Sequence, residues 1–371
     1  MRDRLGRQLW VWPLLFAAGL AIFGWTTLRA LESTMREQVR SELVTTREAA
    51  AAALDIWSRE LLGRITLIGA DPRVTGSIRA LVGVARRSGE SRAEILSAPA
   101  LERLRVVLDD FVSAGDVEGW GVISTSGYML ANDDLESIGH RPAGAATLLG
   151  PIREGQPVIT PPLEWRSASH PEEQSVTMIA AVPVRDTNGE VVALLGFAID
   201  PEGDFSHILG VARPGETGET YAFAADGRLV SRSRFEDQLR ALGLMPDAPG
   251  AASTLNVHIR NPGGDLTAGH LPEAAAFARP LTRMAASAIA GETGVDVVGY
   301  PDYRGVPVVG SWTWLPEWQL GIATEMDVAE AYAGLVTVRR RLLALIALLG
   351  IGALGMLGYS FVVLRLQGQV A

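Results

Sequence analysis

VTMIAAVPVRDTNGEVVALLGFAI, residues 176–199, is the stretch whose reading decides the fold. Two apolar runs of strand length, 176–184 and 190–199, flank the turn Asp186-Thr187-Asn188-Gly189. Aspartate, asparagine and glycine accept the backbone angles of a tight reversal, so the segment reads as a long β-hairpin. The runs are nearly continuous rather than alternating, which predicts strands covered on both faces. A shorter hairpin precedes it: 119–125 (GWGVIST), a Ser126-Gly127 turn, and 128–131 (YMLA). The same order then recurs. Residues 219–224 (ETYAFA), an Asp226-Gly227 turn and 228–231 (RLVS) form a short hairpin; 306–314 (VPVVGSWTW) and 318–324 (WQLGIAT), around Leu315-Pro316-Glu317, form a long one. Two copies of one pattern predict two related antiparallel-sheet modules in tandem. The boundary between them falls near 201–215, where Pro, Gly and Asp are frequent.

Helices come before the strands. Between Arg29 and Leu62 there is neither proline nor glycine, and residues 29 to about 70 read as one long helix. Leu54, Trp57, Leu61, Ile65 and Ile68 recur at spacings of three and four, which places them on one apolar stripe. The stripe either packs on the protein's own sheets or serves as a signalling stalk and dimer seam, and both uses fit different parts of one helix. Asp71-Pro72 ends it. Two shorter helical patterns follow, at about 75–87 and 98–113. The fold class expected is α+β.

Two charge-free runs bracket these modules. Residues 9–28 (LWVWPLLFAAGLAIFGWTTL) and 342–364 (LLALIALLGIGALGMLGYSFVVL) carry no charged residue. Twenty helical residues rise about 30 Å, the thickness of the hydrocarbon layer. Trp10, Trp12 and Trp25 lie near the ends of the first run, where aromatic rings favour the interface. The run exceeds the apolar core of a secretory signal and no small-x-small cleavage site follows it, so it reads as an uncleaved span. Arg2, Arg4 and Arg7 favour a cytoplasmic N-terminus. Arg339, Arg340 and Arg341 then lie outside, which is tolerated because long loops translocate largely regardless of charge.

Composition excludes several chemistries. All 33 basic residues are arginine, so there is no lysine for a phosphate loop, a Schiff base or a kinase site. There is no cysteine, hence no thiol nucleophile, thiolate metal site or disulfide. A net charge of −9 without a central basic cluster argues against nucleic-acid binding. His140, His170, His207, His258 and His270 stand in polar loops without metal-ligand spacing. GETGET (215–220) lacks the lysine of a phosphate loop. No serine has a histidine in useful context. No catalytic site, metal or cofactor is expected; Asp109-Asp110 and Asp133-Asp134 read as solvated helix-face and turn residues.

Three segments carry a family resemblance: GETGETYAFAADGRLVSRSRF (215–235), LNVHIRNPGGDL (255–266) and the stretch from PLTRMAASAIAGETG to ATEMDVAEAY (280–332). With the span, long helix, two sheet modules and second span, the chain resembles the double Cache (dCache) sensors of bacterial transmembrane receptors. The resemblance covers roughly residues 30–335 and is most specific over 215–332. It implies PAS-like modules, of the type attached to Ser/Thr kinases, nucleotide cyclases and related outputs. Under it the chain divides into a cytoplasmic N-terminus (1–8), a first transmembrane helix (9–30), a stalk (31–74), a membrane-distal module (75–204), a membrane-proximal module (205–328), a connecting helix (329–341), a second transmembrane helix (342–364) and a cytoplasmic tail (365–371) without an output domain. The distal module is expected to hold the ligand and the proximal one to transmit.

A pocket for a small molecule needs apolar or aromatic walls and a few placed polar groups. In the distal module these are expected from Trp120, Tyr128, Arg153, Trp165, Arg166 and Asp200. Arginine suits a carboxylate, Asp200 suits an amine, and Trp165 suits either. Each also has a plain structural reading, as core, solvated loop or turn cap. Amino acids, carboxylates or similar metabolites are the expected ligands, although the tyrosines of the amino-acid-binding branch are missing beside Trp165-Arg166. Tyr221, Arg234, Tyr303 and Glu325 are candidates for a second cavity, while Trp312 and Trp314 read as core or wall. The expected function is a double-pass inner-membrane receptor that senses an extracytoplasmic molecule, forms a homodimer and signals through its second span to a cytoplasmic output. The alternative is a cell-envelope interaction protein that holds a protein partner.

Overall fold

The computed structural model describes residues 11–369, apart from 116, 143–147, 151–153, 167–173 and 249. It divides into two compact units. One comprises residues 1–42 with 327–371, the other residues 43–326.

The larger unit contains the second part of α1 (Val11–Ala70), from Leu43 onward, then α2 (Pro72–Ser88), α3 (Arg92–Leu96) and α4 (Pro99–Ser113). Asp71 both ends α1 and begins α2: its carboxylate accepts the Arg73 N–H at 2.7 Å, and Pro72 supplies a first-turn residue that has no N–H to satisfy. The six-stranded distal sheet follows. Its strands are β1 (Gly119–Ser124), β2 (Met129–Asn132), β3 (Val158–Ile159), β4 (Leu163–Arg166), β5 (Gln174–Arg185) and β6 (Val191–Ile199), in the order β2-β1-β6-β5-β3 with β4 also on β5. Described pairings in it are antiparallel.

The β5–β6 turn forms for the reason its sequence suggests. Asp186 Oδ1 accepts the N–H groups of Asn188 (2.8 Å) and Glu190 (3.0 Å), and Gly189 takes φ 85°. Pro183 inside β5 is tolerated because β3 pairs β5 only at Ala180 and Ala181, which leaves the edge open where the proline N–H is missing. Strand residues alternate between two buried faces. Trp120, Val122, Met178, Ala180, Leu195 and Phe197 face the helices; Ile123, Met129, Ile179, Ala181 and Leu194 form a smaller cluster on the other side. Two covered faces account for the nearly unbroken apolar runs.

The proximal sheet has four antiparallel strands, β7 (Glu219–Ala224), β8 (Gly294–Pro301), β9 (Pro307–Leu315) and β10 (Leu320–Asp327), in the order β7-β10-β9-β8. Short helices α5 (Ser206–Val211), α6 (Glu236–Ala241) and α7 (Arg283–Ile289) pack around it. The stretch 228–231, expected as a strand, makes only isolated bridges: Phe223 with Leu229 and Arg228 with His258. Leu229 is held instead by residues 255–257, with bonds between Leu255 and Val257 and its own main chain at 2.7 and 2.8 Å. β8 is absent from the expected strands, since its glycines and Asp296 break the alternation and a bulge interrupts its pairing between Asp296 and Tyr300.

One apolar stripe of α1 serves both sheets. Ala50, Leu54, Leu61 and Ile65 are buried in the core shared by the helices, the distal sheet and the proximal residues Ala222, Leu320 and Ile322. Trp57 stacks on Trp318 at 6.1 Å and 17°. Buried Arg47 reaches from α1 to β9, donating to Ser311 Oγ (2.9 Å) and the Trp312 carbonyl (3.2 Å). Leu54 is 0% exposed, so Leu54→Ala is expected to cost about 2–5 kcal/mol through lost burial and a residual cavity. The midpoint of urea unfolding of the full chain in detergent measures this, and an unchanged midpoint would refute it.

The smaller unit is helical. It holds the start of α1, α8 (Val328–Ala331) and α9 (Ala333–Gln369). The two long helices run antiparallel, since Gly24 lies against the Ile346 side chain and Met35 against Gly334. Ala333–Val363 is long and apolar enough to cross a membrane. Leu345, Leu348, Ile351 and Leu354 on it are exposed, as a lipid-facing surface requires. The run 9–28 begins among residues outside those described and is α-helical from Val11 onward.

Candidate functional site

The cavity that stands out lies on the outer face of the distal sheet. β1 reads Gly119-Trp120-Gly121, and alternation sends Trp120 to the helix side while both glycines face outward. Gly121 pairs directly with Gly196 of β6. Neither has a positive φ, so these glycines provide room rather than backbone freedom. A Cβ on Gly196 would lie 3.3 Å from Ile179 Cγ2, and one on Gly121 would lie 2.9 Å from Asn132 Nδ2. The paired glycines form the floor of a cavity of about 240 Å³.

Its walls are Ile123, Met129, Leu148, Ile179 and Leu194, with Trp165 of β4 packed against them. Its polar groups are acidic or neutral: Glu118, Asp133, Asp134, Asn132, Ser137, Ser175 and Thr177. The Asp133 carboxylate lies across Gly119, in the place a side chain would take. Its Oδ1 accepts the Asp134 N–H at 2.9 Å. The Asp134 carboxylate accepts from the Glu136 N–H (3.0 Å) and Ser137 Oγ (2.9 Å), and Asn132 Nδ2 donates to the Trp120 carbonyl at 2.9 Å. Desolvation raises the Glu118 pKa, and the Asp200 charge adds to the rise. Desolvation also raises that of Asp133 against the opposing pull of backbone N–H groups. Both side chains keep solvent access, so they mark the mouth rather than the floor.

The residues expected to form a pocket fall in different places. Trp120 and Trp165 are brought to the cavity. Trp120 is 2% exposed, and its Nε1 donates to Asp109 Oδ1 of α4 at 2.8 Å, so what it presents to the cavity is main chain. Asp109 is therefore the partner of a buried indole. Tyr128 lies away from the cavity with the Arg141 guanidinium 4.2 Å above its ring. Arg166 is exposed on β4 and does not line the cavity. Asp200 caps the turn Pro201–Phe205 by accepting the Glu202 N–H at 2.8 Å, and acts on the cavity through the field it exerts on Glu118. Arg153 lies outside the described residues. Sequence reading missed Glu118, Gly121, Asp133 and Gly196. The available signal was the G-x-G of β1 opposite a lone glycine in an otherwise bulky β6.

The proximal module holds a different assembly. Glu219 and Glu325 face each other across the β7–β10 pair. Glu325 accepts from the Tyr221 and Tyr300 hydroxyls, both at 2.7 Å. Glu219 accepts from Tyr303 (2.8 Å), Ser233 Oγ (2.6 Å) and the Arg234 N–H (2.8 Å). Tyr221, Tyr303 and Glu325 are thus buried and bonded within the core instead of lining a second cavity, because their hydroxyl and carboxylate groups satisfy one another. Arg234 borders a separate polar surface groove with Arg213, Arg232 and Glu236. Trp312 is buried in the core, its Nε1 donating to Ser287 Oγ at 3.1 Å. Among the described residues no group of three His, Cys, Asp or Glu side chains is placed to hold a metal ion.

No protein-family model and no curated protein matches this sequence. Solved structures share parts of its shape. An extracellular ligand-binding receptor from Desulfohalobium retbaense is 15% identical at TM-score 0.38, covering 68% of this chain and 39% of its own; this chain thus spans well under half of that structure's length. The sensor domain of the Vibrio cholerae histidine kinase DctB is 14% identical at TM-score 0.42, covering 80% of this chain and 98% of its own. The ligand-binding domain of the Pseudomonas aeruginosa amino acid chemoreceptor PctB, in complex with L-Arg, is 16% identical at TM-score 0.43, covering 82% and 93%. At such identities function has to be read from this chain's own residues.

Proposed function

We propose that the chain is the sensing part of a transmembrane receptor and that the distal-sheet cavity takes a small extracytoplasmic molecule. The observation that carries this reading is the Gly121–Gly196 pair, which leaves an apolar hollow with polar groups at its mouth in an otherwise close-packed sheet. A cavity of about 240 Å³ lies below the usual range for drug-sized ligands, which points to a small metabolite. A molecule that binds two packings of the sheet unequally shifts their populations. The shift has a covalent route toward the membrane, because β10 is followed directly by α8 and α9, and α9 contains the apolar segment Ala333–Val363. Two spans, a cytoplasmic N-terminus, a homodimer and a cytoplasmic output complete the proposal. A partner-holding envelope protein would need no such hollow.

The test is a thermal-shift screen of the full chain in detergent against amino acids, carboxylates, amines and nucleobases. A ligand at 100 times its Kd is expected to stabilise the folded state by about 2.7 kcal/mol. Trp165→Ala is expected to remove the shift. A well-folded protein that responds to no compound, or a response that Trp165→Ala leaves intact, would count against the distal cavity as the sensing site.

A further inference from the structure

We infer that the distal cavity selects organic cations, small molecules with an ammonium-type group on an apolar body, an inference that rests on reading this cavity as the ligand site. Three features converge on that class. The first is the sign of the mouth. Glu118 and Asp133 line the cavity, Asp200 adds its field at Glu118, and no arginine or histidine is among the lining residues described. The chain has no lysine at all. Arg166, a candidate for a carboxylate clamp, is exposed and is not among the lining residues described.

The second feature is the state of these carboxylates. Neither Glu118 nor Asp133 has an ion-pair partner among the described residues, and the pKa of each is raised mainly by desolvation. Partly desolvated negative charge is unfavourable until a positive charge arrives. A ligand ammonium supplies it, whereas a ligand carboxylate adds repulsion. Asp134 differs, because Glu136 N–H and Ser137 Oγ already satisfy it. The third feature is the wall. Trp165 offers an aromatic face, Met129 a polarisable thioether, and Ile123, Ile179 and Leu194 a hydrocarbon surface. Aromatic faces attract cations, and apolar walls take the remainder of the molecule.

The test is calorimetric titration of the full chain in nanodiscs with matched probes. Phenethylamine, 3-phenylpropanoate and 2-phenylethanol share a body and differ in charge; isopentylamine and 4-methylpentanoate form an aliphatic pair. At least one amine is expected to bind saturably, and at least tenfold tighter than its acid. Asp133→Asn and Glu118→Gln are each expected to weaken that amine at least tenfold. Both side chains are solvent-accessible, so folding should persist, with an unchanged circular dichroism spectrum as the control. Failure of both amines overturns the inference, as does an acid that binds as tightly as its amine. An amine whose affinity survives both substitutions overturns it too. If an acid or alcohol binds and Gly196→Leu blocks it, the cation inference fails while the cavity remains the sensing site. If neither these probes nor the wider screen give a response that depends on the cavity, both fail.

Discussion

Glu325→Leu is expected to destabilise the protein by about 2–6 kcal/mol, since it strands the hydroxyls of Tyr221 and Tyr300 at about 1–3 kcal/mol each. Both hydroxyls donate to this one carboxylate in the proximal core, where Glu325 is 4% exposed. Glu325→Gln is expected to behave differently. Burial pushes the Glu325 pKa from 4.5 up to about 8, with the Asp302 and Glu219 charges adding to the rise and the two tyrosine bonds opposing it. A carboxyl group whose pKa is raised by folding holds more protons folded than unfolded between those two values. Stability therefore falls as pH rises from about 4.5 to about 8. Asp302, raised from 3.8 to about 6 by burial against the pull of Arg304, contributes the same sign over a lower window. Glutamine cannot ionise and can accept from one tyrosine while donating to the other. Its variant should lose most of the slope above pH 6 and exceed the wild type in stability at pH 8.5. Urea unfolding of both proteins from pH 5 to 9 is the measurement. A wild type that gains stability across this range would show that Glu325 is ionised in the ordinary way.

Gly196→Leu is expected to abolish ligand response while leaving the fold in place. Its Cβ would meet Ile179 Cγ2 at 3.3 Å and Leu194 Cδ1 at 3.7 Å, contacts that a small adjustment relieves, and the remaining side-chain atoms would extend into the cavity. Overpacking costs about 1–3 kcal/mol, and replacing a strand glycine recovers part of that. A ligand that needs the same volume should lose at least 100-fold in affinity, and Gly196→Ala should fall between. Titration of the three proteins with a ligand from the screen decides this. Equal affinities would move the binding site elsewhere. A collapse of the thermal transition in Gly196→Leu would instead mark the glycine as structural, with Gly196→Ala then the informative variant.

The two glutamates and three tyrosines of the proximal core stand in contrast to the distal hollow. Both sit on a sheet face away from the simplest apolar packing. In the distal module glycines vacate the space and carboxylates stay at its mouth. In the proximal module the tyrosine rings fill the space and the carboxylates are sealed beneath hydroxyl donors. The sequence offered Tyr221, Arg234, Tyr303 and Glu325 as candidates for a second cavity; three of them are bonded in the core and Arg234 borders a separate groove. Residue types alone do not say whether polar side chains satisfy each other or await a ligand.

Local chemistry determined a good deal by itself. The α1 stripe, the Asp71-Pro72 break and the Asp186–Gly189 turn follow from periodicity, capping and turn chemistry, which act over a few residues. The apolar run within α9 follows from composition. Tertiary structure decided the rest. Register alone sets Gly121 opposite Gly196 and brings Asp133 over Gly119. Packing alone gives the Trp120 indole to Asp109 and leaves Arg166 in solvent. These outcomes depend on residues distant in sequence and on which strand face each side chain occupies. A one-residue change in pairing would reverse them without altering any local signal.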